Sequence, residues 1–514
     1  MLFDGRPTTE MKVAVVDVGY NSLKMVKYKV ETDGFAKSYG QLGVIAKLGE
    51  GLERSGYLQE GPIQRTIEAI KLCRETASLE SINHVLLVGT SPVREAANRE
   101  AFLRRVRDET GFEMRVLTGN EEALYGFLGG ARAIGASHAL YFDLGGGSLQ
   151  LTYAENFRIR RILSLPLGAL RLSAMFASRQ GKFSRKDRTR MNRLISRTLP
   201  SRRDLGLDKE TVLVGTGGTV RAMARFEQET IDYPFDKVHN FVMEYDSVVQ
   251  MSREFFRLEK DELNEIEAIG EGRSETIGAG AFVIRLIMKR LGFQRMTAST
   301  HGLRDGILAE FIERGTRKST GIGSREAIES LVRSPVLPPR LTGNAELIEL
   351  LTKNGVFSQR DQKILLTALD RGQTEECLEA DTSSLFWILM NQDLPMTHED
   401  QLFMAISLVK ARRPRAANWL MKKFGSLLLQ DDLRSLRKMG SCLRLMEVLD
   451  RSSAHFKVTF SEGLRISILE GAEPFPTELL RTSAEALSSS IKRSVTITES
   501  NKIRRKEKSV EVET

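Results

Sequence analysis

Cysteine is nearly missing from this chain of 514 residues. Cys73, Cys377 and Cys442 are odd in number and far apart, which excludes a disulfide framework and a cysteine metal centre and suits a reducing compartment. No apolar run approaches the roughly 18 residues of a membrane-spanning helix. The polar start Met1-Leu-Phe-Asp-Gly-Arg-Pro7 is not a signal peptide, so the expected setting is the cytoplasm, with no membrane partner. Acidic residues are outnumbered: 67 Asp and Glu face 76 Lys and Arg, and the net charge of +9 favours a polyanionic partner without choosing which. What is present in quantity is apolar, 41% of residues, enough for buried cores in about three domains.

One stretch organises the rest. In Tyr141-Phe-Asp-Leu-Gly-Gly-Gly-Ser-Leu-Gln-Leu151 an apolar run leads into Asp143, three glycines and Ser148, and an alternating strand leads away. Gly145, Gly146 and Gly147 have no Cβ, so the backbone can fold around an anion and point N–H groups at it, while Asp143 at the strand end can hold a metal or a water. A triple glycine is most often a plain turn. Here the grammar recurs: Val13 to Val26 gives a buried strand, then Asp17, Gly19, Asn21 and Ser22, then a second strand. A third turn, Gly215-Thr216-Gly217-Gly218-Thr219, follows another apolar strand and precedes a helical pattern, whose N-terminus would face the same anion.

Between these loops, Pro62 to Ala77 reads as a helix. The strand His84 to Thr90 delivers Thr90, Ser91 and Arg94 to the start of another, where the guanidinium fork of Arg94 can bind two phosphate oxygens. Asn120 is placed to cap a helix from Glu121 to Ile134. Lys182 to Arg203 is dense in cations, a run more often a solvated helix face than an electrostatic track for a long anion. Residues 316–338 read as a linker. Beyond it the pattern is helical, followed by a hairpin of Phe456 to Phe460 and Leu464 to Ile468, a helix from Pro476 to Lys492 and a third strand from Ser494 to Thr498.

The ordered series Asp17-Val-Gly-Tyr-Asn-Ser22, Gly89-Thr-Ser-Pro-Val-Arg-Glu95, Gly119-Asn-Glu-Glu-Ala123, Asp143 to Ser148, Gly215 to Thr219 and His301-Gly-Leu-Arg-Asp-Gly306 resembles the exopolyphosphatase/guanosine pentaphosphate phosphohydrolase family. The resemblance covers residues 11–315. It implies an α/β fold of two ribonuclease-H-like lobes of the actin/Hsp70/sugar-kinase superfamily, spanning 11–130 and 131–315. After the linker it implies a degenerate HD-like helical domain with a small β-hairpin over 339–498, and a charged tail over 499–514. In that third domain the metal signature is missing, since residues 340–460 hold only His398 and His455 and no His-Asp doublet.

By the same resemblance, Glu121 is the general base and Glu122 the helix-cap acid or the understudy of that base. Asp143 and the position of Gln150 hold Mg²⁺, Arg94 and Arg304 bind phosphate with the three loops, and His301 is structural. Residues Lys47, Glu50 and Glu53 lie at the cleft rim. The implied substrate is inorganic polyphosphate, shortened from its end, with guanosine pentaphosphate as the alternative, no specific nucleic acid, and a homodimer as the assembly. Two positions depart from the family pattern. Tyr20 stands where serine is usual, and Gln150 where a metal-binding glutamate is usual. They keep open a third reading, a weakly active polyphosphate-binding regulator.

Overall fold

The computed structural model describes residues 11–30, 36–178, 182–270, 272–316, 342–452, 454–470 and 476–499. It forms two compact units, which separate within the undescribed stretch 317–341. The expected linker from residue 317 and the expected tail from residue 500 lie outside the described residues.

The first unit contains one strand plan twice. Strands β1 (Met11–Val18), β2 (Leu23–Val30), β3 (Ala36–Val44), β4 (His84–Gly89) and β5 (Arg115–Val116) form a sheet of order β3-β2-β1-β4-β5. The second sheet uses β6 (Ala139–Leu144), β7 (Leu149–Glu155), β8 (Arg158–Leu165), β9 (Val212–Thr216), β10 (Val242–Glu244) and β11 (Arg295–Ala298), in the order β10-β11-β9-β6-β7-β8. In each, the first three strands are an antiparallel meander and the first also pairs in parallel with a later strand. Only a crossover through helices can make that parallel step. The strands that become central, β1 and β6, are continuous apolar runs because both of their faces are covered.

Register makes the duplication exact at the functional ends. Asp17 faces Lys24 across β1 and β2, and Asp143 faces Gln150 across β6 and β7. The two turns close with the same bond, Gly19 N–H to Ser22 O at 3.1 Å and Gly145 N–H to Ser148 O at 3.0 Å.

Helix Leu303–Thr316, which follows the second sheet in sequence, packs its Leu303, Ile307 and Leu308 into a core with Val13, Val15 and Val88 of the first. It also crosses helix Gly119–Ile134 at backbone contact. A Cβ at Gly129 would come within 2.0 Å of Gly302 O, and one at Gly306 within 2.0 Å of Tyr125 O. Only glycine allows that approach, which locks the helix that carries Glu122 against the helix that carries Arg304.

The second unit is helical, with helices Gln359–Gly372, His398–Arg412 and Gln430–Arg451 packed on one another. A small sheet of β12 (His455–Phe460), β13 (Leu464–Glu470) and β14 (Val495–Glu499) completes it. The expected hairpin is present. The third strand runs parallel to β13, so helix Thr477–Ile491 is its crossover.

Candidate active site

The glycine turns of the two meanders and the turn after β9 meet at one cleft of about 320 Å³. It is lined by Asp17, Gly19, Asn21, Ser22, Thr90, Ser91, Asp143, Gly145, Gly146, Gly147, Ser148, Thr216, Gly217, Gly218, Thr219 and Arg304, all singled out in the sequence. The carbonyls of Gly145 and Gly146 accept from the N–H groups of Ala169 and of Leu170 and Arg171, which fixes the hairpin turn. Among the described residues no acceptor takes the N–H of Gly146 or Gly147, so both remain for an anion. Gly217 has φ +108°, and a Cβ there would sit 2.5 Å from Leu144 O, so this turn accepts glycine alone. It starts helix Gly218–Thr230, whose first N–H groups face the cleft.

Three residues expected at the centre lie elsewhere, and a fourth, Gln150, lies just beneath it opposite Asp143. Glu121 is held away from the cleft: one carboxylate oxygen accepts from the N–H and hydroxyl of Thr118, and the other from Arg115 at 2.6 Å. Thr118, not Asn120, is the helix cap, and the pair Thr118–Glu121 forms a complete capping box. Arg94 lies behind the cleft wall. Its Nη1 donates to Leu117 O at 2.8 Å and to Glu122 Oε2 at 3.0 Å, so it orients a carboxylate instead of offering its fork to phosphate. Gly215 is a packing glycine under the site, where a Cβ would strike the Phe142 ring. Gln150 is buried beneath the hairpin, with its Nε2 donating to Ser148 Oγ at 2.8 Å and Ser164 Oγ at 3.3 Å.

The roles read for Glu121 and Glu122 are therefore exchanged in position. Glu122 lines the cleft, one residue further along a helix and so about 100° around it. Burial, and then the charges of Asp143 and Asp17, raise its pKa to about 7 against the pull of Arg94. Sequence reasoning also missed three cations. Lys24, Arg221 and Arg273 join Arg304 in lining the cleft. Burial and the neighbouring arginines lower Lys24 to about 7 and Arg221 to about 10. Among the described residues none of the four has a carboxylate partner in an ion pair, and Arg304 Nη1 is sealed from solvent without an acceptor. One signal for Lys24 and Arg221 was available: each follows its loop by two residues, Lys24 after Ser22 and Arg221 after Thr219.

Tyr20 does not fill the cradle. Its ring packs between Gly49 and Gly147, and its hydroxyl donates to Glu53 Oε1 at 3.1 Å. Glu53 in turn pairs with Arg171, which also binds Glu95, so the rim candidate Glu53 is a brace. Lys47 pairs with Glu275 and Glu50 with Arg65, and His301 with Asp305, whose carboxyl is held at about 2 despite its burial by His301 and the Gly302 N–H.

The donor set suits a hard divalent cation. Asp17 Oδ1, Asn21 Oδ1 and Gln150 Oε1 are buried acceptor oxygens to which no group of the described residues donates, and Asp143 stands with them at the end of its strand. Desolvation raises the pKa of both aspartates, the condition in which a cation is bound in place of a proton.

Comparison with known proteins agrees with this geometry. The sequence profile of the Ppx/GppA phosphatase family matches residues 29–314. Exopolyphosphatase 2 of Mycobacterium tuberculosis is 25% identical over 313 residues, 58% of this chain and 97% of that protein. A guanosine-5'-triphosphate,3'-diphosphate pyrophosphatase of Vibrio campbellii is 26% identical over 58% of this chain and 59% of its own length. The crystal structure of an exopolyphosphatase from Cytophaga hutchinsonii superposes with a TM-score of 0.55 at 21% identity, covering 59% of this chain and 98% of that one.

Proposed function

The chain belongs to the Ppx/GppA phosphatase family, and from that premise we propose that it is an exopolyphosphatase, releasing orthophosphate from the end of inorganic polyphosphate with Mg²⁺ as cofactor. The observation that carries this reading is the set of four cleft cations, Lys24, Arg221, Arg273 and Arg304, none of which is in a close ion pair among the described residues. Like charges crowded together are unfavourable until an anion of several charges joins them, and a phosphate chain end supplies one.

In the proposed reaction the terminal phosphoryl group lies against the N–H groups of the hairpin turn and of helix Gly218–Thr230, with Arg304 on its oxygens. Glu122, oriented by Arg94, takes a proton from water as the water oxygen bonds to the terminal phosphorus. The bond from that phosphorus to the bridging oxygen breaks, and the shortened chain leaves with the electron pair. Asp17, Asp143 and Gln150 would hold Mg²⁺, which when bound offsets the charge of the phosphoryl oxygens. The N–H groups and the cations are in place before the substrate arrives, so little reorganisation is needed at the transition state.

Guanosine pentaphosphate requires the same chemistry at its 5′ end, and the Vibrio relative is named for such a substrate. Phosphate release from long-chain polyphosphate and from guanosine pentaphosphate, side by side with and without Mg²⁺, separates the two. Binding of polyphosphate without release of phosphate would favour the regulatory reading. The proposed setting is the cytoplasm, in keeping with three buried free thiols. A homodimer is the proposed assembly, since the second unit exposes Trp419, Leu429 and Leu433. The mass in solution tests it.

A further inference from the structure

Outside the cleft, the first unit has a second concavity of about 490 Å³, walled by helices Arg185–Thr198, Tyr245–Arg257 and Ile277–Leu291. Each helix gives it one face, as helices packed around a core do, yet the faces carry Arg185, Arg188, Arg253, Arg285 and Lys289. Among the described residues no carboxylate lines it. Elsewhere in this unit exposed arginines take carboxylates, as Arg105 does with Glu60 and Glu109. None of these five cations has an ion pair or a side-chain hydrogen bond among the described residues, and Arg285 Nε is sealed from solvent with no acceptor.

Two phenylalanines fix the arginines. Arg188 lies over the Phe256 ring at 5.6 Å and Arg285 over Phe282 at 5.9 Å, while the two rings meet edge to face at 5.4 Å. A guanidinium laid on a ring keeps its N–H edges for an anion. With an arginine over each ring, the guanidinium N–H edges are what the site offers a ligand, which suits phosphoryl groups.

The cation-rich run seen in the sequence is thereby divided. Arg185 and Arg188 face the concavity, whereas Arg190 stacks over Phe176 and Arg202 binds Leu291 O.

We propose that this concavity is a second polyphosphate-binding site, which holds a segment of the chain away from the end being cut. This rests on the exopolyphosphatase reading. Helix Ile277–Leu291 joins the two places: Thr276, its N-cap, lines the cleft, and Arg285 and Lys289 follow about 14 and 20 Å along the axis. A long chain can reach both sites and gains from the second as an intramolecular contact; a short one cannot.

The test uses the full chain with Glu122→Gln, so that substrate survives, and compares it with the same protein carrying R188Q, R253Q and K289Q. These three side chains are exposed, and the melting temperature should not move. For polyphosphate of about a hundred units the triple change should weaken binding about tenfold or more and lower the slope of log affinity against log salt by about 2 to 3. Affinity for tripolyphosphate should stay the same. Unchanged long-chain binding, equal weakening at all chain lengths, or tighter binding of single-stranded DNA of the same charge would each overturn the site. If the unmodified protein releases no phosphate from polyphosphate while long-chain binding still depends on these residues, the enzymatic reading fails and this site stands.

Discussion

The two units treat charge in opposite ways. In the second, arginines in protected positions are matched: Arg360 bridges Asp400 and the buried Asp432, and Arg412 binds Glu447 while donating to the carbonyls of Gly372 and Cys377. In the first, Lys24, Arg221 and Arg304 are protected and form no close ion pair among the described residues, although they stand near aspartates whose pKa values desolvation raises. A matched buried pair is architecture. An unmatched one is tolerated only where something else completes it, so the contrast separates the unit that binds a ligand from the unit whose charges bind each other.

The sharpest way to break this contrast is at Glu122. Glu122→Gln should cut turnover by roughly 10² to 10⁴-fold, the scale of a lost general base, while Glu121→Gln should leave turnover nearly intact and cost at most about 1 kcal/mol of stability, since glutamine keeps the capping box with Thr118 and loses only the charge facing Arg115. Steady-state rates and melting curves of the two variants check this, and a larger rate loss at Glu121 would restore it to the mechanism. The same base sets the pH profile. A base must be unprotonated to accept a proton, so at limiting Mg²⁺ the rate should climb as pH rises through about 7. Added Mg²⁺ offsets the charges of Asp143 and Asp17 that push Glu122 up, and should move that limb to lower pH.

Arg360→Ala, in the second unit, strands Asp432 and should destabilise that unit by about 3 to 5 kcal/mol, read as an early melting transition, with tripolyphosphate turnover in the first unit kept. The smallest effect is expected at Gln150→Glu. A carboxylate beside Asp143 adds a hard ligand, so the Mg²⁺ concentration giving half-maximal rate should fall, with little change at saturation. A higher Mg²⁺ requirement would make Gln150 a substrate ligand.

The loops were legible in the sequence because their chemistry is local. Asp17, Asp143 and the glycines lie within a few residues of the strand that positions them, and the duplicated grammar marks the duplicated sheet. The choice between Glu121 and Glu122 was not legible. Both suit the first turn of a helix, and the selection is made by Thr118 and Arg115, which engage one, and by Arg94, which turns the other into the cleft. Arg273 and the second basic site were hidden for a related reason. They assemble from segments far apart in sequence, a turn for Arg273 and three helices for the second site, and a cation in any one of them reads as an ordinary solvated residue.

The central claim is that the unmatched cleft charges are ligand sites and contribute nothing to the fold. Thermal unfolding of the unmodified protein and of Arg304→Gln, each with and without tripolyphosphate and Mg²⁺, tests it directly. The account predicts that the free variant melts no lower than the parent, and that only the parent gains strongly from the ligand. A free variant that melts several degrees lower and is stabilised by ligand as much as the parent would contradict it.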